Sequence, residues 1–203
     1  VNYVRDQGML KTDRLNQFEV NIKNSTLSSR INLNVNLSSG IRMLVYTNIN
    51  YDKYHGPRSE VQTAYAYAFN ASPVNFAPTY PGDFEHGWPH LRFGSVRKGD
   101  GVALNPYAQI QSGYQDRSRY SATTKLEYIH NLSGLVKGLE LRASASLSKT
   151  GYEMNAFEFR PFYYAMDAEN GGYDFETGEH KLTLLSNGRR TLQKPYQGGS
   201  AST

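Results

Sequence analysis

Arg30-Ile31-Asn32-Leu33-Asn34-Val35-Asn36-Leu37 is the stretch on which the fold turns. Ile31, Leu33, Val35 and Leu37 alternate without error against Arg30, Asn32, Asn34 and Asn36. A period of two is the mark of a β-strand with one apolar and one polar face. Ser38-Ser39-Gly40 follows, and its spacing predicts a three-residue hairpin loop with Gly40 in a left-handed conformation. The chain then returns from Ile41 to Tyr51 with mostly apolar odd positions and with Arg42, Asn48 and Asn50 among the even ones. Leu44 and Tyr46 break the pattern. Placing Leu37 opposite Ile41 puts both apolar sets on one face, so the register is self-consistent.

A second hairpin repeats the design. Tyr120, Ala122, Thr124, Leu126 and Tyr128 alternate with Arg119, Ser121, Thr123, Lys125 and Glu127. After a turn over 131–138, Leu139, Leu141, Ala143, Ala145 and Leu147 alternate with Glu140, Arg142, Ser144, Ser146 and Ser148. Each segment offers about 9–11 residues, enough for a tilted strand to cross a bilayer. Tyr51, Tyr54, Tyr120 and Tyr152 fall at the loop-side ends and Tyr128 near the short-turn end, where aromatic girdles belong. A soluble sandwich also alternates, but its strands are shorter and its turn signals recur every 8–12 residues or so. Here short and very long connections alternate instead. The polar face is mainly Asn, Ser and Thr, suited to a wet interior wall.

Fold class is therefore expected to be all-β: a fragment of an antiparallel transmembrane β-barrel with long extracellular loops. Strands are expected over about 1–6, 27–37, 41–52, 117–130 and 139–151. The extracellular loops are expected over about 8–26, 53–116 and 152–203, with Gly198-Gly199-Ser200 as loop material. Val1 is not an initiator methionine and the first strand has no predecessor to pair with, so the chain is expected to be part of something longer. Within the middle loop, Ser59-Glu60-Val61-Gln62 predicts a capping box, and the alanines from Ala64 to Ala68 predict a short helix that stops before Ser72-Pro73. In the last loop, Tyr173 to Thr183 predicts a small hairpin.

Composition narrows the function classes. Cysteine is absent, which removes disulfides, thiol chemistry and cysteine metal sites. The net charge of +4 is scattered, with no basic block beyond Arg117-Ser118-Arg119 and Arg189-Arg190, so no nucleic-acid partner is expected. No apolar run reaches the eighteen or so residues of a membrane helix. The mean hydropathy of −0.62 is compatible with a barrel, in which only alternate residues meet lipid.

No catalytic candidate emerges, and neither a metal nor a cofactor is expected. His86 and His90 are four apart, but Gly87 and Pro89 argue against the helix that would bring them together. Asp167, Glu169, Asn170 and Asp174 fit an acidic turn better than a calcium loop. Asp83 with Glu85, or Asp100 alone, lacks the setting of a glycosidase pair. Ligand binding has aromatic candidates on the loop side: Tyr80, Trp88 and Phe93 in the middle loop, and Tyr163, Tyr164 and Tyr173 in the last. Sugars stack on such rings. The alternative for each is that it simply packs loops together or touches a lipoprotein lid.

The order of these segments resembles the SusC/RagA family of TonB-linked outer-membrane proteins from Bacteroidetes. The cues are Ser29-Arg30-Ile31-Asn32-Leu33-Asn34-Val35-Asn36-Leu37-Ser38 with its returning strand, and an alanine-rich helix leading to Ser72-Pro73-Val74. Asn105-Pro106-Tyr107-Ala108, Ser112-Gly113-Tyr114 and Val136-Lys137-Gly138-Leu139-Glu140-Leu141-Arg142 follow in sequence. They span residues 1 to about 165. The resemblance implies a plugged barrel in a Gram-negative outer membrane that imports oligosaccharides or peptides. It also implies two partners, TonB and a SusD-like surface lipoprotein, and a transporter rather than an enzyme. A secreted β-sandwich binding or adhesion module, and a passive porin, are the alternatives.

Overall fold

The computed structural model describes residues 1–81, 90–189 and 191–202. A six-stranded antiparallel sheet dominates it. Its members are β1 (Asn2–Gln7), β2 (Lys23–Ser38), β3 (Ile41–Pro57), and two later strands of 19 residues each, Gly113–Asn131 and Glu140–Glu158. The sixth is Gln193–Ser202. Between these lie α1 (Val61–Asn70), β4 (Thr79–Tyr80), β5 (Arg92–Gly94), β6 (Arg97–Lys98), β7 (Gly101–Val102) and α2 (Pro106–Gln111). In chain order the two long strands are then β8 and β9. They are followed by β10 (Phe162–Met166), β11 (Leu182–Ser186) and, for Gln193–Ser202, β12. The large sheet runs β1-β2-β3-β8-β9-β12 and is open, with β1 and β12 as its edges.

The predicted hairpin register holds from Lys23 opposite His55 through Asn36 opposite Arg42. Beside the turn it shifts: Ser38 faces Ile41, so Leu37 sits in a bulge and the expected Leu37–Ile41 pair does not form. The connection shrinks to Ser39-Gly40, and Gly40 keeps a negative φ rather than the left-handed one expected of a three-residue loop. Its glycine character suits close approach, because its carbonyl accepts Asn131 N–H at 2.7 Å and a Cβ would lie 3.3 Å from Asn131 O. The second turn uses Gly138 at φ 81°, with Leu132 N–H donating to Leu139 O at 2.9 Å.

Strict cross-strand pairing makes the faces easy to assign. Leu33, Val45, Leu126 and Ala145 form one row, and Val35, Met43, Tyr128 and Ala143 the next. On the opposite face Asn34, Leu44, Glu127 and Ser144 are neighbours, with Lys125 and Glu127 in an ion pair. Leu44 and Tyr46 are thus apolar intruders on the polar face. The apolar face has no cover: Ile31, Leu33, Val35, Leu37, Leu126, Leu141 and Leu147 are each between 39% and 63% exposed. A closed sandwich would have buried them.

Three expectations require correction. All four long strands outrun the apolar alternation at their loop ends, because backbone pairing continues after the side chains turn polar. Residues 193–202, expected as loop, add β12 along β9, with Gly198 and Gly199 opposite Met154 and Glu153. The tyrosine girdle is divided. Tyr51 and Tyr120 pair on the apolar face, whereas Tyr54 and Tyr152 point to the other. There Arg117 lies 4.2 Å above the Tyr54 ring and Arg119 6.0 Å above Tyr152.

The buried core lies off this sheet. β3, β8 and β9 all lead into the long connections at the ends opposite the two short turns. There β11-β10-β5-β4 form a second sheet in which β5 and β10 run parallel. Leu91, Phe93, Ala108 and Tyr163 form its core, with Leu15, Val102, Tyr107, Phe159 and Leu185 packed around them. Helix α1 forms at the predicted place, but the capping box does not. Glu60 is the N-cap without a side-chain bond, and Ser59 Oγ donates instead to Gln109 Oε1 at 3.4 Å.

Candidate functional site

The loop module is organised by two buried amides. Asn105 is fully buried and uses its whole hydrogen-bonding capacity. Its Oδ1 accepts from Tyr107 N–H (2.8 Å) and Ala108 N–H (3.2 Å), capping α2, while Pro106 occupies the first helical turn. Its Nδ2 donates to Pro78 O (2.7 Å) and Gly94 O (2.8 Å), tying the helix to the segments around β4 and β5. Gln111, also fully buried, reaches the first loop. Its Nε2 donates to Lys11 O at 2.7 Å, and its Oε1 accepts from Asn16 Nδ2 at 2.6 Å and Asp13 N–H at 3.2 Å. Two long connections that are distant in sequence are thereby fastened to one short helix.

Tyr107 completes the link by donating its phenol to Asp13 Oδ2 at 3.2 Å. Burial, the nearby Asp13 charge and that hydrogen bond push its pKa up to about 12. Burial likewise raises Tyr80, Tyr163 and Tyr164.

Most of the aromatic residues singled out as ligand candidates are structural here. Phe93 has no exposed surface and packs against Tyr107 and Tyr163. Tyr80, Tyr163 and Tyr164 are each below a tenth exposed, and Tyr164 Oη meets His90 Nε2 at 2.9 Å. With their faces covered, these rings pack the loops together in this conformation. Tyr173 is half-exposed, bridged to His180 and in ring contact with Phe175 and His180. Trp88, like His86, Asp83, Phe84 and Glu85, lies outside the described residues.

A different group of aromatics lines open space. A cleft of about 650 Å³ runs between residues 15–18, His90-Leu91, Phe159, Phe162 and Thr191-Leu192. Phe18 and Phe159 meet edge to face with ring centroids 6.2 Å apart, and His90 packs on Phe162 at 4.1 Å. Asn16, Gln17 and Thr191 add polar groups to the wall. Ring faces beside amides and a hydroxyl are the chemistry that holds a sugar or a short peptide. The sequence signal was available in Phe157-Glu158-Phe159-Arg160-Pro161-Phe162, but Phe18 is more than 130 positions away and nothing local announces their meeting.

The acidic turn is a folding device. Asp167 accepts from Asn170 N–H and Nδ2 at 3.2 and 2.8 Å, and Asp174 from Glu176 N–H and Thr177 N–H at 2.9 and 3.2 Å. These bonds hold both carboxyls below their ordinary range, led by the Asn170 side chain for Asp167 and the Thr177 backbone for Asp174. Gly171, Gly172 and Gly178 take the positive φ angles the turn requires. Among the described residues, no three His, Asp or Glu side chains converge as metal ligands. Comparison with family models, curated proteins and solved structures found no match for this chain.

Proposed function

We propose that this chain forms part of the wall and the exterior loops of an outer-membrane, TonB-dependent nutrient importer of the SusC/RagA type. Its cargo would be an oligosaccharide, with peptide the second choice, and its role transport rather than catalysis. The observation that carries the reading is the uncovered apolar face and its sharp limits. From the row of Ile41 to the row of Tyr51 the face is dominated by apolar residues, and beyond Tyr51 it turns to Lys53, Ser25, Ser118 and Glu153. Ten residue steps measure about 33 Å of strand. At a barrel tilt of about 40° they rise about 25 Å, the height of a lipid-facing band. Tyr3, Tyr51 and Tyr120 mark one border and Tyr128 lies near the other.

The opposite face, rich in Asn, Ser and Thr, suits a wet interior. The unpaired edges of β1 and β12 could not stand open in lipid, so in this reading further strands close the barrel. Short turns then face the periplasm and the loop module faces outward, where its aromatic cleft can meet cargo or a SusD-like lipoprotein. Import over passive diffusion, and glycan over other cargo, rest on the family resemblance. Growth of a deletion strain on defined glycans and peptides tests the reading. Loss of growth on one substrate, with the same loss in a strain lacking TonB, is the expected result. Undiminished growth on all of them contradicts it.

A further inference from the structure

We propose that a pocket at the loop-side rim of the apolar face, between Arg5 and Lys53, holds the phosphate of an anionic lipid headgroup. The proposal rests on the membrane-spanning reading above. Arg5, Ser25 and Lys53 stand side by side on β1, β2 and β3, on the same face as the apolar band. They lie two residues beyond the row of Tyr3, Leu27 and Tyr51, a step of about 6.6 Å along the strand. The headgroup layer outside the hydrocarbon is about 5–8 Å thick, so these cations fall at its depth.

Arg5, Ser25 and Lys53 line an open pocket of about 390 Å³ whose wall also holds Lys23, His55 and two carboxylates, Glu19 and Asp116. The nearby acids are largely occupied. Glu19 pairs with Lys23, and Asp116 meets His55 Nδ1 at 2.8 Å. Glu153, on the same row beyond Ser118, accepts from Asn155 Nδ2 at 3.0 Å. Arg5 and Lys53 are left with no acidic partner among the described residues. A guanidinium fork, an ammonium and a hydroxyl converging on one space suit a phosphate. Lys149, one row below Tyr120, has a stem long enough to carry its charge toward the same rim. The last row of the face on the turn side, with Ile41, His130 and Leu141, holds neither lysine nor arginine, and the turn over 131–139 beyond it carries a single cation, Lys137. The asymmetry favours an anionic leaflet on the loop side.

The test places the whole protein in phosphatidylcholine nanodiscs with increasing phosphatidylglycerol and counts retained anionic lipid by native mass spectrometry. The double variant Arg5→Gln/Lys53→Gln should bind phosphatidylglycerol about twenty-five-fold more weakly, roughly fivefold per cation. The matched control Arg30→Gln/Arg42→Gln, with the same charge removed from the polar face, should bind as the parent does. Equal affinity of both double variants, or equal loss, overturns the proposal. Millimolar inorganic phosphate should leave lipid retention unchanged, whereas full displacement would make this a free-anion site and end the lipid assignment. Insertion is scored separately, and protein that stays outside the nanodiscs overturns the membrane reading along with this proposal.

Discussion

Tyr120 lies across Gly151, its cross-strand neighbour on the apolar face, and its ring fills the space a Cβ at Gly151 would occupy. The pair sits in the row that ends the apolar band, beside Tyr51 on β3. Glycine here serves close approach, giving the ring a flat bed and fixing its height at the border. Gly151→Ala should push the ring off its strand and destabilise the sheet by about 1–3 kcal/mol. Combined with Tyr120→Ala the cost should shrink, because the overlap has gone. Denaturant titration of the four proteins in detergent measures both, and strict additivity would show that the ring and the glycine are not coupled.

The two faces of the sheet predict opposite responses to charge. Val35→Arg or Ala145→Arg should cost about 2–4 kcal/mol if the site lies near the bilayer midplane. Asn34→Arg or Ser144→Arg should cost much less, since both positions lie on the polar face, where the lumen can hydrate the charge and where Glu127 is the direct neighbour of Ser144. Unfolding midpoints in lipid give the comparison.

Asn105 makes four hydrogen bonds from a fully buried site, so its loss strands two carbonyls and uncaps a helix. Asn105→Ala should destabilise the loop module by about 2–4 kcal/mol. Asn105→Asp should be worse, because a carboxylate keeps the caps but faces the Pro78 and Gly94 carbonyls without a proton to give. Limited proteolysis should show faster cutting across residues 90–112 while the large sheet stays protected. Protection equal to the parent's would remove Asn105 from its central position.

Both hairpins, the register of the first as far as Asn36 opposite Arg42, and the division of apolar from polar residues were legible in the sequence, because period two is written in every residue from Ile31 to Leu37. What lay beyond its reach has physical causes. Gln193–Ser202 carries two adjacent glycines and almost no apolar alternation, and it becomes a strand because β9 offers it an edge. The parallel pairing of Arg92–Gly94 with β10 joins short segments about seventy residues apart. The burial of Asn105 and Gln111 runs against their polarity and follows only once their partners are known. Ring burial is equally invisible locally, which is why Phe93 and Tyr163 read as binding residues and fold as core.

Tyr107 predicts an alkaline transition of the loop module. Its folded pKa of about 12 exceeds its ordinary value of 10.0, so the folded state holds the phenol proton more tightly than the unfolded one. The resulting stability is complete below pH 10 and declines as pH rises through 12. Tyr107→Phe should flatten that decline while costing some stability at neutral pH through the lost Asp13 bond. Near-ultraviolet circular dichroism against pH follows it, and an unchanged profile in the variant would exclude Tyr107 as a source of the decline.

The central claim is that one face of the large sheet meets lipid and the other water. The chain has no cysteine, so single cysteines can be placed without background. Leu33, Val35 and Leu126 on one face, and Asn34, Asn36 and Ser144 on the other, are replaced in turn and labelled with an environment-sensitive fluorophore in lipid. The account predicts quenching by bromine-labelled lipid tails at the first three and by aqueous iodide at the last three, alternating with every residue along β2. Shielding of Leu33, Val35 and Leu126 from both quenchers would place them in a closed protein core and contradict the account.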